Sequence, residues 1–102
     1  MDYVALLTFR SSTSGADRDG ALLRRAAWQY PDGIRVIAEY WPMTDAPQVV
    51  SIFSTDDPAA IMQLELEWSD VFDVAIAPAL SAEDGLAVGV DVFARLTRLQ
   101  PA

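Results

Sequence analysis

Residues 49–80 constrain the fold of this chain more than any other stretch, because they have the pattern of a complete strand–helix–strand crossover. The stretch begins with the β-branched and aromatic run VVSIF, which is typical of a strand. Asp57 then precedes Pro58. This pair predicts a helix start, since the carboxylate accepts hydrogen bonds from free amides and proline costs nothing at the first helical position. A final apolar run over 74–80 contains Pro78, so this strand is predicted to lie at a sheet edge or to carry a bulge.

The segment after the Asp57-Pro58 pair fits two kinds of structure. Residues 64–68, LELEW, alternate with the period of a half-buried strand. The composition around them is nevertheless that of a helix, and the cap lies one turn upstream, so a helix is predicted. Its apolar residues then form two stripes, which are Ala60, Ile61, Leu64 and Trp68 on one side and Met62 and Leu66 on the other.

The other predicted elements surround this crossover. Residues 2–10 form a strand that is apolar on both faces, which predicts a central position in the sheet. A helix over about residues 17–30 and a strand over 34–41 follow, and a loop over 42–47 joins that strand to the next as a hairpin. Ser81 precedes a last helix over about 82–99 and resembles the first residue of a capping box.

In two elements, the periodicity of the helix or strand decides which side chains are predicted to face the protein interior. In the first helix the side chains expected inside are those of Leu22, Leu23, Ala26, Ala27 and Tyr30. Arg24 and Arg25 then lie outside, with Trp28 either stacked on Arg24 or free to contact a partner. In the second strand, alternation places four side chains on one face, those of Arg35, Ile37, Glu39 and Trp41.

The order of elements, β-α-β-β-α-β and a terminal helix, predicts an α+β, ferredoxin-like fold for a single domain over residues 1–102. We expect an antiparallel sheet in the order 4-1-3-2 with its helices on one face. The other face then has no cover although it carries large apolar residues, among them Val4, Leu6, Ile37 and Trp41. Apolar patches of that size are rare on monomers. A homodimer packed through this face is therefore predicted, with Trp41 at least partly buried.

Composition excludes several kinds of chemistry. The net charge is −8 and all seven basic residues are arginines, a balance that argues against nucleic acid as a partner. The chain has no His, Cys or Lys, so it offers no thiol nucleophile, Ser–His relay, ordinary zinc site or lysine Schiff base. No cofactor and no metal are predicted. The first residues lack the pattern of an export signal and no apolar run approaches ~20 residues, so a cytoplasmic protein without membrane partners is expected.

Three groups of residues carry a resemblance to a known family. They are Thr55-Asp56-Asp57-Pro58, then Glu67-Trp68-Ser69-Asp70 followed by Asp73 and Pro78, and the first strand ending in Thr8-Phe9. With them, most of residues 1–85 resembles the small bacterial domains of unknown function in the dimeric α/β-barrel superfamily. That superfamily includes cofactor-free monooxygenases, haem enzymes, isomerases and cyclases, and its fold does not choose among these activities. The family's second strand ends in an Arg–aromatic–His segment, whereas this chain has Glu39-Tyr40-Trp41, so no role of that His can be transferred.

Two classes of function remain open. In the first, a small apolar or aromatic molecule lies in the cleft between the sheet and its partner, with Tyr3 and Trp41 as walls and Arg10 or Arg35 for an anion. If this class is enzymatic, Glu39 is the candidate base of a monooxygenase- or isomerase-like reaction without a cofactor. An apolar setting beside Trp41 would raise the Glu39 pKa, unless Arg35 on the same face pairs with it. In the second class, the protein is a non-catalytic interaction or scaffold dimer.

Overall fold

The computed structural model describes residues 1–44 and 46–100, and it confirms the predicted order of elements. The four strands are β1 (Asp2–Phe9), β2 (Arg35–Tyr40), β3 (Val49–Ser54) and β4 (Phe72–Pro78). The three helices are α1 (Gly15–Ala27), α2 (Pro58–Trp68) and α3 (Ala82–Leu99). Asp45, in the predicted loop over 42–47, and the last two residues of the predicted domain lie outside the described residues.

The helix starts are set by polar side chains. Asp57 accepts a hydrogen bond from the backbone amide of Ala59 at 3.0 Å, and Pro58 occupies the first turn of α2, as predicted. Ser81 accepts from the amide of Asp84 at 3.1 Å at the start of α3. α1 begins at Gly15, earlier than predicted, because Ser14 caps its first turn by accepting from the amide of Asp17.

The strands form one antiparallel sheet in the order β2-β3-β1-β4. This is the predicted order, with β1 inside and β4 at an edge, where Pro78 costs no ladder hydrogen bond. α1 and α2 both pack on one face. The core between them and the sheet includes Leu7, Phe53, Leu64, Trp68 and Phe72, all fully buried. The protein therefore has the α+β, ferredoxin-like architecture with an additional C-terminal helix.

The predicted phase of α1 is wrong. Leu23, Ala26 and Ala27 are exposed, whereas Ala21 and Arg25 are the buried residues of this helix. Tyr30 lies beyond the helix end, where α1 stops at Ala27 and the chain becomes extended at the next residue. The physical reason is that Arg25 meets a carboxylate and aromatic rings beneath the helix, and these offset the cost of burying its charge.

A β-bulge in β2 overturns the predicted alternation. The pairing with β3 shifts between Val36 and Ala38, so that Ile37 is the extra residue. After the bulge, Glu39 lies opposite Ser51 on the helix-covered face. Before it, Arg35 lies opposite Ser54 on the other face. A one-residue shift exchanges the two faces of a strand. Arg35 and Glu39 therefore do not share a face, and the expected pair between them does not form.

The second face of the sheet carries no helix, and we call it the helix-free face. Its central rows are aliphatic, Leu6 beside Val50 and Ala75, and Val4 beside Ile52 and Ala77. Leu6 is 38% exposed even at the centre of the sheet. α3 does not cover this face, since none of its described residues is buried.

Candidate functional site

The helix-free face contains an apolar groove of about 460 Å³ where β1, β2 and β3 meet the chain that leads into α3. Its walls are formed by Asp2, Val4, Ile37, Ile52, Ala79, Leu80, Ser81 and Ala82. Alternation from Arg35 places Ile37 on this side of the sheet, and the bulge shifts only the residues that follow it. Volumes of 300–1,000 Å³ with mostly apolar walls and few polar groups are typical of sites for small ligands. The groove is therefore the candidate binding site.

A second feature, which we call the Arg25 cluster, lies under α1 on the other side of the sheet. It consists of Arg25, Tyr30, Glu39, Trp41 and Ser51. The Arg25 guanidinium donates to both Glu39 oxygens, at 2.7 and 3.2 Å, and to the Tyr30 hydroxyl at 3.0 Å. The Arg25 side chain is 1% exposed and that of Glu39 is 22% exposed. This geometry is a bidentate ion pair in which the Glu39 carboxylate is partly exposed to solvent.

The remaining contacts of the Arg25 cluster complete the shell around Glu39. Tyr30 donates a very short hydrogen bond to Glu39. The Tyr30 hydroxyl lies 2.6 Å from Ser51 Oγ, which acts as the donor because the single Tyr30 proton is directed to the carboxylate. The Trp41 indole donates to Glu39 at 2.9 Å. The carboxylate thus accepts from three different side chains.

Aromatic rings surround the buried guanidinium of Arg25. Its central carbon lies 4.3 Å from the centre of the Trp28 ring, 5.0 Å from that of Trp68 and 5.2 Å from that of Tyr30. The predicted stack of Arg24 on Trp28 is wrong, since Arg24 lies over Trp68 at 4.3 Å and pairs with Asp70. Arg25 Nη1 and Trp68 Nε1 are buried without a hydrogen-bond partner. A buried unpaired donor is costly, so the rings and the Glu39 pair must offset it.

The electrostatics of the Arg25 cluster oppose the expected role of Glu39 as a base. Burial by itself would raise the pKa of the Glu39 carboxyl. Hydrogen bonds from Arg25, Tyr30 and Trp41, together with the charge of Arg25, outweigh burial and hold this pKa below its ordinary value. Of the two alternatives for Glu39, a raised pKa and an ordinary ion pair, the structure favours the ion pair, with Arg25 in place of Arg35. Burial, with the hydrogen bond to Glu39, raises the pKa of Tyr30 to about 12, so Tyr30 stays protonated at neutral pH.

The structure brings together only two of the five residues predicted for a site, Glu39 and Trp41. Tyr3 lies on the helix-covered side, stacked on Phe53 with ring centres 5.7 Å apart, so it cannot line the helix-free face. Arg10 is at the far end of β1, where it lies 3.7 Å from Asp73. Arg35 is exposed at the start of β2.

The residues predicted for a site did not include Arg25, Tyr30 and Ser51 of the cluster, or Leu80 and Ser81 of the groove. One signal was available for Arg25. It follows Arg18, Ala21 and Leu22 at helical spacing, and this stripe is the one that faces the sheet. Ser51 carried no comparable signal, because its partner Tyr30 belongs to a turn whose path depends on where α1 ends.

No group of three or more acidic side chains among residues 1–44 and 46–100 is arranged to hold a metal ion. None of the helices in that part of the chain is long and apolar enough to cross a membrane.

Comparison with known proteins places the chain in a family without assigning it an activity. A family model described as a domain of unknown function, DUF3303, matches residues 1–93. No curated protein and no solved structure matches the chain significantly. Since the family model covers nearly the whole length, the chain belongs to the DUF3303 family of domains of unknown function.

Proposed function

We propose that this protein is a homodimer, packed through the helix-free face, that binds a small apolar or aromatic molecule in the groove between that face and the partner. The observation that carries the proposal is the apolar groove of about 460 Å³ on an uncovered sheet face. The resemblance to dimeric α/β barrels supports the same arrangement. The cytoplasmic location and the single domain over residues 1–102 stay predictions.

The need for a partner comes from the apolar residues that one chain leaves in water. Leu6, Ile37 and Leu80 on or beside the helix-free face are exposed to 38%, 46% and 65%. Complete burial of a large apolar side chain contributes about 1.5–3 kcal/mol. Each of these side chains would gain a substantial part of this free energy if a partner covered it. A second copy presents the same apolar surface, so a two-fold interface is self-complementary.

The walls of the groove indicate the kind of molecule that it binds. Val4, Ile37, Ile52 and Leu80 are its large apolar side chains, and Asp2 and Ser81 are its polar ones. The groove has no arginine, and the chain carries a net charge of −8, so anions are disfavoured. A neutral aliphatic or aromatic molecule fits these walls best, with Ser81 and Asp2 able to accept a hydrogen bond from it.

The enzymatic alternative has less support from the geometry. Glu39 already accepts from Arg25, Tyr30 and Trp41, and its pKa is lowered. A general base works best with a pKa near the operating pH. The Arg25 cluster therefore fits a clamp that holds α1 against the sheet. The scaffold alternative keeps the dimer but needs no ligand, and a binding experiment separates it from the proposal.

The proposal is tested with N-phenyl-1-naphthylamine, a neutral apolar dye whose fluorescence rises in an apolar site. We expect saturable binding to the full chain. Val4→Trp fills the groove with apolar volume, so it should weaken the dye's affinity by about tenfold or more, a loss of at least ~1.4 kcal/mol. Leu66→Trp, on the exposed side of α2, is the matched control and should bind like the parent.

Light scattering of every variant shows whether a loss of dye binding is accompanied by a loss of the dimer. Binding lost in Val4→Trp, with the dimer retained, supports the site. Equal affinity in the parent and in Val4→Trp places the dye elsewhere and overturns it. A parent dimer without saturable binding overturns the ligand proposal and favours a scaffold.

A further inference from the structure

α3 is the element that the packing of a single chain does not explain. It runs for 18 residues, and none of those residues is buried. The molecule measures 64 × 28 × 18 Å, whereas the eight residues of the longest strand extend over only about 27 Å. The long dimension therefore requires α3 to project from the body. Most of the stability of a helix in a protein comes from packing against other elements. A helix that projects from its own chain lacks this stabilisation.

The side chains of α3 are divided into two arcs. At 100° per residue, all five charged residues fall within one third of the circumference. These are Glu83, Asp84, Asp91, Arg95 and Arg98. The large apolar residues occupy the opposite arc and are 46–69% exposed. They are Leu86, Val88, Val90, Val92, Phe93, Leu96 and Leu99. Such strict segregation indicates that the apolar arc of α3 is made to pack against something.

Two glycines lie in the middle of the apolar arc of α3. Gly85 and Gly89 are one turn apart, and a Cβ added at either would have no atom of the chain within 4 Å. Each costs a helix about 1 kcal/mol relative to alanine, and neither relieves a clash within the chain. Between the flanking large residues they leave a shallow strip along which another backbone can approach closely. The strip has no use unless a surface from outside the chain lies against it.

One chain thus presents two uncovered apolar surfaces, the helix-free face and the apolar arc of α3. They are joined by Ala79, Leu80 and Ser81, which also form one wall of the groove. α3 begins at the groove and leads away from it, so it does not cover the face of its own chain. Under two-fold symmetry, an arm that leaves one copy at the interface reaches the equivalent face of the other.

We infer that α3 is an exchanged arm: in the homodimer, each copy lays the apolar arc of α3 on the helix-free face of the other and so closes the partner's groove. This inference rests on the dimer proposed above and adds the element that completes the binding site. Side chains near the middle of α3, such as Val90 and Phe93, become part of the wall facing Val4 and Ile52. The ligand is then enclosed by residues of both copies.

The dimensions of the two surfaces agree with this arrangement. An 18-residue helix is about 27 Å long, and four strands spaced ~4.8 Å apart are about 19 Å wide, so α3 can cross the whole sheet. Seven large, half-exposed side chains in each arm represent several hundred Å² of apolar surface. This is on the order of the ~800 Å² that each partner buries in a standard interface. The charged arc of α3 stays in water.

The test uses the absence of cysteine in the chain, since an introduced thiol is then the only one. Two full-length chains with different tags are co-expressed, one with Ile37→Cys in the groove and one with Phe93→Cys on the apolar arc of α3. A short bismaleimide is added, and the cross-linked species are identified by mass. The matched control replaces Phe93→Cys with Asp91→Cys, on the charged side of the same helix. None of the α3 positions is buried, so these variants leave the fold intact.

We expect the Ile37–Phe93 pair to give about tenfold more cross-linked heterodimer than the Ile37–Asp91 pair, because a docked pair reacts at a high effective concentration. Equal low yields in a sample that light scattering shows to be dimeric would overturn the exchanged arm and leave the proposed dimer standing. A cross-link within one chain carrying both thiols, without one between chains, would show α3 folded onto its own face and overturn the arm. A monomeric parent would overturn both proposals.

Discussion

Arg25→Met is expected to lower the free energy of unfolding by about 3 kcal/mol, the lower end of the loss found when one partner of a buried ion pair is removed. Methionine keeps the apolar stem but leaves Glu39 without its cation. Two facts place the loss at the lower end. The Glu39 side chain is 22% exposed and can recover some hydration, and the substitution also removes the unpaired donor at Arg25 Nη1. Urea unfolding of the parent and the variant measures the difference.

Arg24→Met is the matched control, because it is the same substitution at the next position of α1. Arg24 pairs with Asp70 at 3.0 Å, but both side chains are about half exposed. Exposed pairs contribute about 0–1 kcal/mol, so this variant should lose less than about 1 kcal/mol. If the two variants are equally stable, the Arg25 cluster does not clamp α1 to the sheet.

The pH dependence of stability provides a second readout of the same clamp. The pKa of Glu39 is lowered in the folded protein, so the folded state binds its proton less tightly than the unfolded chain does. This carboxylate therefore stabilises the fold at pH values above its unfolded pKa of about 4.3, and the stabilisation is lost as the pH falls through the folded pKa. Glu39→Gln should be less stable than the parent near pH 7, and the difference should shrink in acid. A difference that stays constant with pH would contradict the clamp.

Leu6→Asp is expected to raise the dissociation constant of the dimer by about 100-fold or more, a change worth at least ~2.7 kcal/mol. Leu6 lies on a central strand of the helix-free face beside Val50 and Ala75, so the proposed interface would bury an unpaired carboxylate at its centre. Its side chain is already 38% exposed in one chain, so the fold of the monomer should tolerate the change. Sedimentation velocity over a dilution series measures the constant.

Leu66→Asp makes the same substitution on the exposed side of α2, away from the helix-free face. It should leave the dissociation constant of the dimer unchanged. A result in which Leu66→Asp dissociates the dimer and Leu6→Asp does not would place the interface on the helices and reject the helix-free face.

The sequence predicts those parts of the fold whose causes are local. Asp57 and Pro58 start α2 because an acceptor and a missing amide suit the first turn of any helix. Pro78 lies in an edge strand because it has no proton to donate. β1 is central because it is apolar on both faces. Each inference depends on a few adjacent residues, and the structure confirms all three.

The candidate site was harder to predict because its residues meet through the tertiary structure. One extra residue at Ile37 moves Glu39 from the helix-free face to the helix-covered one, and nothing in the residues 34–41 marks that bulge. Arg25 was placed outside by the predicted phase of α1, and an arginine is almost never fully buried unless it is paired. Its partner, 14 positions further along the chain, becomes visible only when the bulge is known. The two errors are therefore coupled.

The apolar surfaces were only partly predictable for a related reason. The sequence predicted that Val4, Leu6 and Ile37 lie on an uncovered face of the sheet, since two helices on one side leave the other side without a covering layer. The groove did not follow, because its wall at Ala79–Ser81 depends on how the chain leaves β4. The sequence showed the wide apolar arc of α3, but it did not show that this helix projects from the body of the protein.

The central claim is that a second copy covers the helix-free face, and the mass of the full-length protein in solution tests it most directly. Multi-angle light scattering at micromolar concentration should give twice the 11.1 kDa mass of one chain, and Leu6→Asp should shift the mass towards that of one chain on dilution. A parent protein that scatters as a single 11.1 kDa chain at this concentration would contradict the account.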